Sequence, residues 1–167
     1  RCSRLRATPQ NMKTMKIGVL GTGVVGQTLA AKLVELGHDV VVGTRSVAET
    51  MAHSEPSPYG LPPFSIWLGH NPGARVQTFA DAARHGEMVI NATSGMGSLQ
   101  ALQLAGADNL AGKILLDTSN PLDFSQGMPP TLSVANTDSL GEQIQRAFPT
   151  AKVVKTLNTI TAGLMIN

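Results

Sequence analysis

The chain has 167 residues, 42% of them hydrophobic and 14% charged, which suffices for one α/β domain with its own core. A formal net charge of +2 argues against nucleic acid or an anionic membrane as partner. A single cysteine, Cys2, excludes a disulfide framework and a cysteine-based metal site, and no apolar run approaches membrane-spanning length.

The opening RCSRLRATPQNMKT is basic but lacks the apolar core of a signal peptide. Residues 1–14 are expected to be a disordered or vector-derived extension ahead of a native start at Met12 or Met15, and 15–167 the domain proper. The expected compartment is the cytoplasm.

An apolar run, Ile17–Leu20, predicts the first strand, and it leads into Gly21-Thr22-Gly23-Val24-Val25-Gly26. A helical pattern follows, with Leu29, Leu33 and Leu36 on one face and Gly37 where a C-cap is expected. Val40–Val42 predicts the second strand, ending in Gly43-Thr44-Arg45-Ser46. Three glycines at this spacing, between a strand and a helix, form a dinucleotide fingerprint. Gly21 permits the turn, Gly23 lets the backbone approach a pyrophosphate, and Gly26 lets the helix pack on the strand. The helix start then offers Thr22, Val24 and Val25 and their unpaired amides to the phosphates. The end of the second strand selects the cofactor. Gly43–Val47 carries no acid to bond the two ribose hydroxyls, and offers Thr44, Arg45 and Ser46 instead. A guanidinium fork with two hydroxyls suits a 2′-phosphate, so NADP(H) is expected over NAD(H).

Residues 47–74 form a Pro-rich connection with short helices near Val47–His53 and Ser65–His70. The elements expected next are a strand at Arg75–Phe79, a helix at Ala80–His85, a strand at Met88–Thr93 and a helix at Ser98–Ala105. Lys113–Thr118 predicts the fifth strand and Ser119–Asn136 a long loop. Asp138 or Ser139 caps a helix running to Phe148, and Lys152–Leu157 is the sixth strand. The alternation predicts a single α/β domain, a doubly wound parallel sheet (Rossmann fold) ordered 3-2-1-4-5-6. Ligands of such sheets sit beyond the carboxyl ends of the strands. The candidates there are Thr22–Val25, Thr44–Ser46, Thr93-Ser94-Gly95-Met96, Ser119-Asn120-Pro121 and Asn158-Thr159.

Several segments resemble the F420-dependent NADP oxidoreductase family, whose members use a deazaflavin, coenzyme F420, as second cofactor. They are MKIGVLGTGVVGQTLAAKLVELGHDVVVGTRS, EMVINATSG, KILLDTSNPLDF and AKVVKTLNTI, together covering roughly Met15–Thr161. The combination of GTR, SNP and VVK-x-x-NT is more specific than the glycine motif. The chain is also similar to the cytoplasmic oxidoreductase domain of membrane ferric reductases. The resemblance implies that Thr22, Val24 and Val25 line the pyrophosphate and that Thr44, Arg45 and Ser46 hold the 2′-phosphate. It further implies that the loops at Thr93, Ser94 and Asn120 flank the nicotinamide, with Asn158 near the hydride-transfer cleft. Family members continue past the NT motif into elements that complete the second-substrate pocket and a dimer. This chain stops at Asn167, so those elements are expected to be absent here. The Pro-rich insert Glu55–Pro72 is longer than in archaeal enzymes and reads as a cover over the cleft, an interface or a surface decoration.

The expected reaction is hydride transfer between NADP(H) and a small-molecule redox co-substrate, a deazaflavin or flavin-like ring. Such exchange needs positioning and water exclusion more than acid–base groups. The only tyrosine, Tyr59, is followed four residues later by Pro63, so the Tyr-x-x-x-Lys pair of alcohol chemistry is lacking. His38, His53, His70 and His85 read as solvent-facing, and Lys155 as a strand residue that is salt-bridged or edge-exposed. Asp117 and Asp123 are too loosely spaced for a metal. Apolar surface left open by a short C-terminus favours a homodimer. Two other readings stand beside this one, a noncatalytic NADP(H)-sensing or scaffold domain and a fragment of a β-hydroxyacid-type dehydrogenase.

Overall fold

The structure, a computed structural model, describes residues 13–57 and 60–167. Most of the expected extension, together with Tyr59, therefore lies outside the described residues. The first half runs β1 (Lys16–Leu20), α1 (Val24–Glu35), β2 (Asp39–Thr44), α2 (Val47–Ala52), α3 (Phe64–His70), β3 (Ala74–Thr78), α4 (Phe79–His85) and β4 (Met88–Asn91). The second half runs α5 (Gly95–Ala105), α6 (Ala107–Leu110), β5 (Ile114–Asp117), β6 (Leu122–Asp123), β7 (Thr131–Leu132), α7 (Leu140–Ala147) and β8 (Lys152–Lys155). One turn of 3-10 helix, Ala162–Leu164, follows. Six strands form a parallel sheet in the order β3-β2-β1-β4-β5-β8, the doubly wound arrangement. No helix among the described residues is long and apolar enough to cross a membrane.

The central strands are apolar on both faces, as a covered parallel sheet requires. Ile17, Val19, Val40, Val42 and Ile90 face α1 and α3 and form one core with Leu29 and Phe64. Leu20, Val41, Val89 and Leu115 alternate to the other face, packing on α4, α5, α6 and α7 through Ala82, Leu102, Leu110 and Ile144. Gly18 makes that second face close: a Cβ there would meet the carbonyl of Ala82, so the backbone of α4 lies directly on β1.

Several boundaries differ from expectation. Leu36 is the C-cap of α1 and 43% exposed, not part of its buried face, while Gly37 beyond it takes φ 85° as the terminator. Helix α5 starts at Gly95, three residues early, because Ser94 is extended and the Gly95 amide bonds the Asn120 carbonyl. Ser139 caps α7, accepting from the Glu142 amide at 3.2 Å, whereas Asp138 pairs with Arg146 at 2.7 Å. The long loop contains the antiparallel ribbon β6–β7. Strand β8 stops at Lys155, shortly before Leu157 turns to φ 61°.

The insert is not a decoration. Helix α3 buries Phe64 in the core, with the Trp67 ring stacked on it at 5.1 Å. Beyond β8 the chain crosses back, and Met165 and Ile166 pack against the core beneath α1. On the same face of β5 and β8, Leu116 packs against this core, while Ile114 and Val154 are 44% and 45% exposed among the described residues.

Candidate functional site

The glycine loop lies at the carboxyl end of β1. Gly21 sits at φ 118°, where a side chain would strike the Ala92 carbonyl, and its amide bonds the Gly43 carbonyl at 3.0 Å. Gly26 has no room for a Cβ because the Gly21 carbonyl is in the way. Gly23 is different: a Cβ there would meet nothing within 4 Å. Among the described residues nothing packs against that position, which leaves open space at the start of α1. Gly23 is the N-cap of α1, no side chain caps that end, and its first turn holds no acid. Val24 and Val25 thus open a helix whose first amides are bare, which suits a pyrophosphate. The motif alone did not reveal the support for Thr22. The side chain of Gln27, 7% exposed, donates to the Thr22 carbonyl at 2.8 Å and fixes the loop from inside the helix.

Thr22 also lines a cavity of about 260 Å³ with Gly43, Thr44, Arg45, Ser46, Glu49 and Thr50. That volume holds a phosphate and part of a sugar, not a dinucleotide. The three residues expected to hold a 2′-phosphate are placed unequally. Thr44 is buried, with its hydroxyl 2.6 Å from that of Thr50. Ser46 caps α2, accepting from the Glu49 amide at 3.3 Å and keeping its own O–H to donate. Arg45 is exposed and belongs to none of the ion pairs among the described residues. An acid does line this cavity: Glu49, two residues beyond the Gly43–Val47 segment. A second hollow shares Thr22, Glu49 and Thr50 and is walled by His53, Glu55 and Phe64. The insert therefore borders the glycine loop.

Across the sheet, the ends of β4, β5 and β8 carry Thr93, Ser94, Asn120 and Asn158. Ser94 is exposed at the start of α5. The Asn120 side chain donates to the Asn158 carbonyl at 2.6 Å, and the Asn158 side chain donates back to Asn120 Oδ1 at 3.1 Å. Leu157, at φ 61°, turns the chain so that Asn158 faces Asn120; this backbone conformation costs a bulky residue about 1–2 kcal/mol. Gly95 lets α5 begin against this pair, since a Cβ there would collide with the Asn120 carbonyl.

Beneath these loops lies a polar row that the sequence did not single out. Asn91, Asp117 and Lys155 are register partners at the last positions of β4, β5 and β8. Asn91 and Asp117 are fully buried. Asn91 Nδ2 donates to Asp117 Oδ1 at 2.9 Å and also to Ser98, and its Oδ1 accepts from the Thr93 hydroxyl at 2.7 Å. Asp117 Oδ1 accepts from the Ser119 hydroxyl at 2.7 Å. Lys155 donates to Asp117 Oδ2 at 2.9 Å and to the Ser119 carbonyl. Lys155 is thus the salt-bridged strand residue, and Asp117 faces it rather than Asp123. Asp123 instead accepts from the Ser125 amide at 2.8 Å, which with the Ser125 hydroxyl holds its carboxyl below the usual range.

The histidines are not uniformly solvent-facing. His53 and His70 are exposed. His38 accepts from the Met15 amide at 3.3 Å, and half-buried His85 sits 3.2 Å from the Asp39 carbonyl. Both lie at the amino ends of strands, opposite the site.

Together the parallel topology, the bare helix start and the glycine cradle define a dinucleotide-binding domain of the Rossmann class. The model of the family described as NADP oxidoreductase, coenzyme F420-dependent, matches residues 16–121. The chain belongs to that family. It is 60% identical, with a TM-score of 0.87, to an Arthrobacter sp. FB24 protein provisionally named an F420-dependent NADP-reductase; the match covers 92% of this chain and 67% of that one. It is 31% identical over 147 residues to metalloreductase STEAP3 of Rattus norvegicus, covering 88% of this chain. This chain spans only a quarter of that relative's length (25%). A reductive aminase from Aspergillus terreus, 18% identical at a TM-score of 0.55, covers 86% of this chain and 40% of its own and shares the fold alone.

Proposed function

We propose that this chain binds NADP(H) and passes hydride between it and a planar redox acceptor, a deazaflavin of the coenzyme F420 type or a flavin-like ring. The observation that carries the reading is Arg45, an exposed guanidinium with no ion-pair partner among the described residues, over a cavity at the end of β2. A 2′-phosphate is the group that gives such a guanidinium a partner.

When bound, the cofactor supplies the hydride at its nicotinamide ring. The protein's residues bind and orient. The bare amides of Val24 and Val25 take the diphosphate, and Gly23 leaves the room for it. Arg45, aided by the Ser46 hydroxyl, takes the 2′-phosphate, with Thr44 and Thr50 as the wall behind. Thr93, Ser94 and the Asn120–Asn158 pair bound the nicotinamide end with small polar groups. No general base is required of them, because ring-to-ring hydride exchange depends on alignment.

Calorimetry with NADPH and NADH, followed by stopped-flow oxidation of NADPH with a deazaflavin and with flavin mononucleotide, tests the reading. NADPH binds well ahead of NADH, and one acceptor is reduced. No heat with either nucleotide overturns the assignment. Tight NADPH binding with no turnover on any acceptor overturns the catalytic half and leaves a binding domain.

A further inference from the structure

We infer that Asp117 and Lys155 are positioning residues for the nicotinamide end, holding three loops at one spacing through a hydrogen-bonded row that is buried at Asn91 and Asp117 and reaches the surface at Lys155. The inference rests on the NADP(H) reading above. Asn91, Asp117 and Lys155 stand side by side on adjacent strands, each at the last residue before its strand becomes a loop. Each reaches into the loops as well as to its neighbour. Asn91 holds the Thr93 hydroxyl, and the Thr118 hydroxyl donates back to the Asn91 carbonyl at 2.9 Å. Asp117 holds both the amide and the hydroxyl of Ser119, at 3.2 and 2.7 Å. Lys155 closes the row on the Ser119 carbonyl, next to Asn120. The Lys155 stem runs past Gly141 at the start of α7, where a Cβ would sit in ordinary contact with it at 3.7–3.9 Å.

Stability does not by itself call for this arrangement. Burying the Asp117 carboxylate costs desolvation, and Lys155, its side chain 32% exposed, offsets that cost while keeping contact with water. What the charges add is direction. An ion pair with every buried partner satisfied has one geometry, and here that geometry fixes where Ser119, Asn120 and Thr93 stand. The left-handed turn at Leu157 then brings Asn158 onto the same support. The adenosine half is built from β1 and β2 and shares none of these bonds.

This division supplies the test. Adenosine 2′,5′-bisphosphate reads only the adenosine half, whereas NADPH reads both, and the emission of bound NADPH reports on the nicotinamide ring. The variants are Lys155→Met, Lys155→Arg and the neutral double variant Asp117→Asn/Lys155→Gln, all in the full chain, with melting temperature followed. The double variant carries the measurement if Lys155→Met does not fold. For Lys155→Met and the double variant, NADPH affinity falls about tenfold and its emission reverts toward that of free NADPH, while bisphosphate affinity stays within about twofold. Lys155→Arg, which keeps the charge, recovers most of the NADPH affinity. Folded variants with unchanged NADPH affinity and emission overturn the inference, as do variants that lose both ligands in proportion. A wild-type chain that binds neither ligand overturns the NADP(H) reading itself.

Discussion

Replacing Arg45 by alanine separates the two nicotinamide nucleotides. The guanidinium is exposed and in none of the ion pairs among the described residues, so its removal leaves no orphaned partner and no cavity. The loss is then the interaction with the ligand alone. A charge-assisted hydrogen bond contributes about 1.5–3 kcal/mol, and exposure to water places this one toward the lower end. A loss of about 2 kcal/mol corresponds to roughly 30-fold weaker NADPH binding. NADH lacks the 2′-phosphate, so its affinity changes less than twofold by the same reasoning. Isothermal titration with both nucleotides measures this, and repeating it at higher salt shrinks the NADPH effect, since an exposed pair is screened. Arg45→Lys falls between, keeping a point charge and losing the fork. Equal losses for NADPH and NADH would refute the reasoning, because the guanidinium would then be acting on something both share.

Gly26→Ala forces a Cβ into the Gly21 carbonyl. It should cost about 2 kcal/mol of stability by overpacking and abolish nucleotide binding, read by thermal melting and calorimetry. Ser139→Ala removes the cap of α7 and costs about 1 kcal/mol, a fall in Tm of about 2–4 °C. Asp138 is held below the usual carboxyl range by hydrogen bonds from Arg146 first and then Gln143. Its folded-state pKa is depressed, so its contribution is present above the unfolded carboxyl range and fades as pH drops through the folded value. Asp138→Asn should therefore flatten the acid side of a Tm-against-pH curve and leave its neutral-to-alkaline shape unchanged.

The sheet order was readable because the central strands carry apolar runs separated by helical patterns, and a run such as Val40–Val42, buried on both faces, suits the middle of a parallel sheet. The ribbon β6–β7 and the four-residue α6 are too short for any periodicity to register. The early start of α5 depends on a contact between the Gly95 amide and a carbonyl 25 positions along the chain, which local pattern does not contain. At the site, the shape of the glycine loop and the place of Arg45 at the end of β2 were legible because both are set by neighbouring residues in the chain. The Asn91–Asp117–Lys155 row was not, since each member reads alone as an ordinary strand end. A signal was nonetheless available. With the strand order in hand, a polar residue ends each of three neighbouring strands at the same register.

The return of the chain after β8 has a mechanical consequence. Met165 and Ile166 are clamped beneath α1, on the far side of the sheet's centre from the strand they follow. Tension applied at residue 167 would be borne first by that clamp, and would peel Met165 and Ile166 from the glycine helix before reaching the outermost strand. Nucleotide loading that stiffens α1 should accordingly raise the force of the first rupture in an optical-trap trace, while leaving later ruptures where they were.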